Sequence, residues 1–359
     1  MAHRGDQISM LANDFEKVST SETLYEKQFV DGKGVGCFAI RDIRKGSLVL
    51  REFPVLHTPD TRFEREDITF QDQRQTTEGI IKAFLDMSEE DQGSYMKLYN
   101  KYNSATWSNG MEKQLESVMN ATAKMTFAGI SKTTAIQIWS IYATNTFTTG
   151  VCLNMSRFNH SCRSNADHFW NDDTNTRDLR ALRKIKKGEE ITLNYVTGSK
   201  TREERQAALK ENYNFDCHCE ACDSSQAQIK NETKCLELYR EEKEKQKKFQ
   251  ENAGMASRHL TVEAQMHEEA ECLKRMYRLA KEIKTFSRRL VLYEIIEEAV
   301  DVNCQGALSE QCIRNREEVK AAWIKDAKVF AAIGHTISAT LFGDEHYTTT
   351  KMERKKCGT

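Results

Sequence analysis

Residues 188–195 read Gly188-Glu189-Glu190-Ile191-Thr192-Leu193-Asn194-Tyr195. The turn residues Lys186-Lys187-Gly188 precede the apolar part, and a second β-like run, 179–185, lies on their other side. The local reading is therefore a hairpin whose second strand, 190–196, ends in an aromatic residue. A tyrosine at a strand end is commonly a core or interface residue. The residues C-terminal to Tyr195 give the stretch more weight. A short polar helix is expected over 201–212, with apolar points at Ala207, Ala208 and Leu209. Then come Tyr213, Phe215 and the cluster Cys217-x-Cys219-x-x-Cys222. Thiolates grouped in this way bind Zn²⁺ tetrahedrally, which requires a fourth ligand. His218 is squeezed between two of the cysteines and is poorly placed, so a distant cysteine serves better. A redox site or plain coincidence is the competing reading.

Working towards the N-terminus, Asn159-His160-Ser161-Cys162 is a compact polar cluster within 157–166. It reads either as a turn or as a site where Asn and His hydrogen-bond a polar ligand, with Cys162 available to a metal. Further back, Gly32-Lys33-Gly34-Val35-Gly36-Cys37-Phe38-Ala39 is glycine-rich. It is not a phosphate loop, because Gly34 follows Lys33 where Ser or Thr is needed. It is not a dinucleotide fingerprint either, because Cys37 holds the third glycine position. Glycines alternating between strands make a hairpin, or let a ligand approach the backbone closely. Short β-like runs are expected at 24–30, 37–40 and 47–53, separated by turns at 31–36 and 45–46.

Between 61 and 144 the texture is helical. Ser88 followed by Glu89-Glu90-Asp91 reads as an N-cap, and Ser131 as the cap of a helix running to Tyr142. After Asp223 the chain is helical again. A densely charged solvent-facing helix is expected at 237–251, and periodic apolar positions follow at Leu279, Ile283 and Phe286, then Leu290, Tyr293, Ile296 and Val300. An apolar helix pair is expected at 319–341, and the interrupted basic run 351–356 reads as a solvated tail.

The 359 residues carry 53 Lys+Arg against 54 Asp+Glu, a net charge of -1, so no strong field draws the whole molecule to nucleic acid or an anionic membrane. No run of about 20 apolar residues is present, and the first residues, with Asp6, Asp14 and Glu16, lack the apolar core of a secretory signal. Eleven cysteines, an odd number, in such a chain imply a reducing compartment.

Taken in order, the four motifs resemble the SET domain of protein lysine methyltransferases. The glycine-rich segment with Phe38-Ala39, Asp42-Ile43 and Lys45-Gly46 resembles its opening, 159–162 its central motif, 188–195 its closing motif, and 217–222 the post-SET zinc cluster. The segment Thr201-Arg202-Glu203-Glu204-Arg205 through the cysteines, and Asn145-Thr146-Phe147-Thr148, are similar to the SET-and-MYND (SMYD-like) subgroup. Two departures stand out. No cysteine lies between Cys37 and Cys152, so the MYND zinc finger is missing from the insertion, and Arg163-Ser164-Asn165 replaces the usual proline-containing turn.

The resemblance implies an α+β fold: a SET β core of small sheets split by a helical insertion, a cysteine-rich zinc site, and an all-helical, tetratricopeptide-like C-terminal domain. The implied regions are an arm over 1–23, SET parts over 24–60 and 145–200, the insertion over 61–144, the post-SET segment over 201–223 and the helical domain over 224–359. It implies methyl transfer from S-adenosylmethionine to a protein lysine, histone or non-histone. Lys33, Gly34, Val35 and Gly36 would contact the cofactor through the backbone. Asn145, Asn159 and His160 would bind its amino-acid and adenosine portions, and Phe215 would stack near the adenine. Tyr195, also against the cofactor, would orient the amine and methyl, with Tyr213 as a second wall of the lysine channel. Cys162, Cys217, Cys219 and Cys222 would hold one structural Zn²⁺. Protein partners would bind through the helical domain, with no direct nucleic-acid or membrane contact, in the cytoplasm or nucleus. A catalytically weak SET scaffold and a zinc-stabilised helical adaptor are the alternatives. The retained Asn159, His160 and Tyr195 favour the active enzyme.

Overall fold

The computed structural model describes residues 23–56, 79–101, 130–147, 150–196, 198–251, 262–283, 285, 288–308, 317–343 and 346–357. Residues 1–22 of the expected arm, 61–78 and 102–129 of the expected insertion, and Phe286 lie outside the described residues. In chain order the strands are β1 (Tyr25–Val30), β2 (Gly34–Ala39), β3 (Leu48–Glu52), β4 (Thr146–Phe147), β5 (Gly150–Val151), β6 (Ala166–Asn171), β7 (Thr176–Ala181) and β8 (Glu190–Ile191). The helices are α1 (Glu89–Tyr95), α2 (Lys132–Asn145), α3 (Arg202–Tyr213), α4 (Gln226–Glu251), α5 (Val262–Glu282), α6 (Arg288–Leu308), α7 (Glu317–Phe342) and α8 (Tyr347–Cys357).

The strands form three small sheets, ordered β1-β2-β8, β3-β7-β6 and β4-β5. β1 and β2 pair antiparallel, with Val30 opposite Gly34 and Tyr25 opposite Ala39. β2 thus begins at Gly34, inside the stretch that reads as a turn to Gly36. A ladder joins backbones and asks nothing of the side chains, so glycines can extend the pairing. The expected hairpin across 186–188 is not formed. β7 pairs with β3 and β6, whereas β8 pairs with β2. The turn carries the chain from one sheet to the next: Ile185 bridges Ile43, and Gly188 N donates to Ala39 O at 2.7 Å. The apolar faces of both three-stranded sheets meet in one core that includes Cys37, Ile43, Leu179, Ile185, Ile191 and Leu193.

Local capping decides where the first helices begin. Ser88 accepts from Asp91 N, and Ser131 accepts from Thr134 N at 3.1 Å. Ile138 and Ile141 of α2 are buried with Leu56, Ile80 and Tyr95. α3 starts in a reciprocal capping box between Thr201 and Glu204 and ends at Asn214, which takes the left-handed conformation that asparagine tolerates (φ 58°).

Each helix from α5 to α8 packs on the one before it. Their shared core contains Leu236, Tyr239, Leu273, Ile296, Trp323 and Phe330. α4 begins well before the expected 237, and its Leu236, Tyr239 and Glu242 are buried, so only one side of this charged helix faces solvent. The helix pair expected at 319–341 is one continuous helix, α7. Its central Gly334 marks a close crossing and not a break: a Cβ there would meet Ile296 Cγ2 and Met352 Sδ, each at 3.0 Å. The basic run 351–356 is not a solvated tail. It lies in α8, with Met352 wholly buried, Lys351 Nζ on Glu297 at 2.5 Å and Lys355 paired with Asp301. α7 also touches β6 and β7, which seats the helical region on the sheets.

Candidate functional site

The central and closing motifs lie side by side. His160 bridges Leu193 in parallel register, Leu193 N donates to Asn159 O and Ser161 N donates to Leu193 O, both at 2.9 Å. This doubled strand puts three side-chain groups in contact.

The first group faces β2. Asn159 Nδ2 donates to Glu190 Oε1 at 2.8 Å, and Lys33 Nζ lies 3.3 Å from Glu190 Oε2. Both the Asn159 and Glu190 side chains press on Gly36. A Cβ at that position would stand 2.7 Å from Glu190 Oε1, 2.9 Å from Asn159 Nδ2 and 3.2 Å from Val30 Cγ2. Gly36 is therefore required by close approach. The carboxylate fixes which end of the Asn159 carboxamide is the donor, so its oxygen is the end left to face a ligand.

The second group is aromatic. Tyr195 Oη donates to Phe158 O at 2.6 Å. Its ring lies 4.8 Å from that of Tyr213 and 5.2 Å from that of His160, centroid to centroid, and Phe215 stands 6.0 Å from His160. Burial, ahead of the neighbouring Tyr213, holds the Tyr195 phenol well above its ordinary pKa, so it remains protonated at neutral pH. Tyr195 N donates to His160 Nδ1 at 3.0 Å, which puts the imidazole proton on Nε2, 3.3 Å from Cys162 Sγ. Burial pushes the His160 pKa down to about 4, so the ring is neutral. With both nitrogens engaged, His160 has its ring face left for a ligand.

The third group is the cysteine cluster. The sulfurs of Cys162, Cys217, Cys219 and Cys222 all lie within 4.8 Å of one another, with Cys162 and Cys222 at 3.6 Å. Tetrahedral Zn–S bonds of about 2.3 Å put sulfurs about 3.8 Å apart, so this spacing fits a four-thiolate metal site. Without a cation the thiols cannot all ionise. Hydrogen bonds among the sulfurs push Cys162 up and Cys219 down. His218 turns outward, is largely exposed and stands 3.4 Å from Asp223. Gln206 on α3 grips the cluster through both backbone groups of Cys217: Cys217 N donates to Oε1 at 3.0 Å and Nε2 donates to Cys217 O at 2.7 Å. Since Tyr213 and Phe215 lie just before Cys217, the cluster and α3 together fix both rings.

Asn145 is placed differently from the other expected cofactor residues. Its Nδ2 donates to Tyr99 O and Ile141 O, both at 2.7 Å, so what it can offer a ligand is its oxygen. Tyr99 in turn donates from Oη to Tyr213 O at 3.2 Å, a link from the insertion to the aromatic wall that nothing in the sequence signals. Glu190, Gln206 and the Phe158 carbonyl are likewise site groups that sequence reasoning does not pick out. Glu190 sits in the closing motif, but its bond to Asn159 forms only when β8 pairs with β2.

The comparisons with known proteins agree with this architecture. Residues 34–196 match the SET domain family. The histone-lysine N-methyltransferase set5 of Schizosaccharomyces pombe is 25% identical over 207 residues, covering 58% of this chain and 53% of that protein. The putative SET domain-containing protein L678 of Acanthamoeba polyphaga mimivirus is 25% identical over 207 residues, covering 54% and 75%. The histone-lysine N-methyltransferase SMYD3 of Mus musculus is 34% identical over 102 residues, covering 28% and 23%. The matched region thus spans about half of the yeast relative and less than a quarter of the mouse one. This chain contains a SET domain, and its relatives include proteins named histone-lysine methyltransferases of the set5 and SMYD types. Among the described residues no helix is long and apolar enough to cross a membrane.

Proposed function

We propose that this chain transfers a methyl group from S-adenosylmethionine to the ε-amine of a lysine in a protein substrate. The observation that carries the reading is the Tyr195 phenol. The Phe158 carbonyl holds it between Tyr213 and His160, beside the doubled strand whose Asn159–Glu190 pair closes over Gly36. The bound cofactor supplies a methyl group already activated on a sulfonium.

The residues of the chain have three tasks. Lys33 and Gly34 are exposed and lead into Val35 and the buried Gly36, whose backbones would contact the cofactor, and Asn159, its nitrogen held by Glu190, would offer its carboxamide oxygen. Phe215 offers a ring for the adenine. Tyr195 donates its proton to Phe158 O, so its oxygen lone pairs remain to accept from the lysine amine. As a protonated phenol it positions the amine and does not abstract a proton. The walls formed by Tyr195 and Tyr213 disfavour a charged ammonium, which lowers the pKa of an entering lysine from about 10.4. Holding amine and methyl in line can contribute several kcal/mol, up to about 7–11 in ideal cases. Cys162, Cys217, Cys219 and Cys222 would hold Zn²⁺ as a structural ion that ties Tyr213 and Phe215 to the core.

The test is transfer of labelled methyl to core histones and to a demethylated cell extract, with Tyr195→Phe alongside. Loss of one transition-state hydrogen bond, at about 1.4 kcal/mol or more, lowers labelling at least tenfold. Equal labelling by wild type and Tyr195→Phe, or no labelling by folded, metal-loaded wild type, would overturn the assignment.

A further inference from the structure

Glu52 ends β3 and is half-buried there. Its carboxylate accepts from three donors far along the chain. Oε1 takes Asn154 N at 2.8 Å and Asn154 Nδ2 at 3.0 Å, and Oε2 takes Met155 N at 2.9 Å. Lys27 Nζ donates to Asn154 Oδ1 at 2.7 Å, so both ends of that carboxamide are held. Burial raises the pKa of the Glu52 carboxyl against the pull of these hydrogen bonds and of Lys27. A carboxylate in such a place is costly unless it is hydrogen-bonded, and hydrogen bonds to a charged group are about twice as strong as neutral ones.

The backbone N–H groups that Glu52 takes open a single turn of 3₁₀ helix, Met155–Arg157, with Asn154 as its N-cap. The Asn154 side chain does not cap the turn, so Glu52, from another part of the chain, supplies the acceptor that the helix start needs. The turn has few bonds of its own: Arg157 N donates to Asn154 O at 3.0 Å and Phe158 N to Met155 O at 3.2 Å. Phe158 O is the group that accepts from Tyr195 Oη at 2.6 Å. The path from β3 to the phenol is thus Glu52, Met155, Phe158, Tyr195, with a hydrogen bond at each step. Asn159 comes next in the chain, but Glu190 and Leu193 hold it independently.

We infer that Glu52 is a positioning residue for methyl transfer, which grips the turn at 154–155 and so sets the Phe158 carbonyl where it orients the Tyr195 phenol. It acts through the turn and Phe158. The inference rests on the reading that Tyr195 positions the lysine amine.

The test uses the full chain carrying ¹³C at tyrosine Cζ, with the Tyr195 resonance identified by its loss in Tyr195→Phe. A phenol that donates a hydrogen bond has its Cζ shifted towards the phenolate position. Glu52→Gln sets an amide NH₂ against one of the donors, so the turn loosens and the Tyr195 resonance should move upfield as the bond to Phe158 O weakens. Glu52→Asp keeps the charge but is one methylene too short to reach both backbone amides. It should move the resonance the same way, and it carries the test if the glutamine variant does not fold. Gly334→Val, which strains a helix crossing elsewhere, should leave the resonance in place. In labelled-methyl transfer to core histones, Glu52→Gln should lower kcat about 10–100-fold, the cost of roughly an ångström of misplacement. In a Tyr195→Phe background, with no phenol left to orient, the same change should cost no more than about threefold. A resonance that stays in place in both Glu52 variants, or losses that simply add in the double variant, would overturn the positioning role. Failure of folded wild type to label any protein overturns the methyl-transfer reading, while the resonance decides separately whether Glu52 holds the phenol.

Discussion

Gly36→Ala tests the cofactor face at its tightest point. The added methyl would stand 2.7 Å from Glu190 Oε1 and 2.9 Å from Asn159 Nδ2. Non-bonded contacts of carbon relax near 3.5–4.0 Å, so both side chains must withdraw by about 0.5–1 Å. That withdrawal breaks the 2.8 Å bond between them, and Asn159 loses the partner that orients it. A hydrogen bond to a charged group is worth about 1.5–3 kcal/mol, which corresponds to a cofactor affinity about 10–150-fold lower. The measurement is calorimetric binding of S-adenosylhomocysteine, the product of the proposed reaction, to wild type, Gly36→Ala, Glu190→Ala and the double variant. Shortening Glu190 removes the nearest clash, so the methyl should cost less in that background, with a coupling of at least about 1 kcal/mol. Unchanged binding by Gly36→Ala, or strictly additive losses in the cycle, would refute the reasoning.

Three other outcomes are expected. Cys219→Ser lowers metal content and, because Tyr213 and Phe215 lose their anchor, lowers cofactor affinity as well. Full cofactor binding by a metal-free variant would break that link. His168 accepts from Arg177 Nη1 at 2.9 Å through Nδ1, and burial, then the Arg177 charge, pushes its pKa down to about 3. The folded chain therefore refuses a proton that the unfolded chain takes up below pH about 6.5, so this stability is full above 6.5 and is lost towards pH 3 at up to about 1.4 kcal/mol per unit. His168→Gln should flatten the urea-unfolding profile over that range, and parallel profiles for variant and wild type would contradict the assignment. Gly334→Val overfills the crossing of α7 with Ile296 and Met352 and should cost about 1–3 kcal/mol in urea, which an unchanged midpoint would exclude.

Features fixed by near neighbours were legible in the sequence. Ser88 and Ser131 each cap a helix, and such caps can be read locally because they are contacts between residues three apart. The cysteines were legible as a cluster because three of the four sulfurs come from one knuckle. Tyr195 and Tyr213, and Tyr213 and Phe215, lie ring beside ring. What escaped depends on distant pairing. Glu190 looks like any strand glutamate until β8 joins β2. Arg205 looks like one more charge on a polar helix until Thr285, from a different part of the chain, arrives beside it. The stretch 319–341 reads as a helix pair, and is one helix, because the sequence does not show what α7 packs against. Lys351 and Lys355 read as solvated because Glu297 and Asp301 lie a full helix away, at a separation of 54 positions.

The pairing of β2 with β8 also has a consequence for biosynthesis. Lys33 and Glu190, which meet across these strands, are separated by 157 positions. At about 5–20 residues per second, the glycine-rich strand leaves the ribosome roughly 8–30 s before its partner exists. Throughout that interval one edge of β2 is unpaired, and Cys37, wholly buried in the finished chain, has no core to enter. The half of the site made first therefore completes its sheet only after the other half has been translated, so the cofactor face closes as one of the last steps in making residues 34–196.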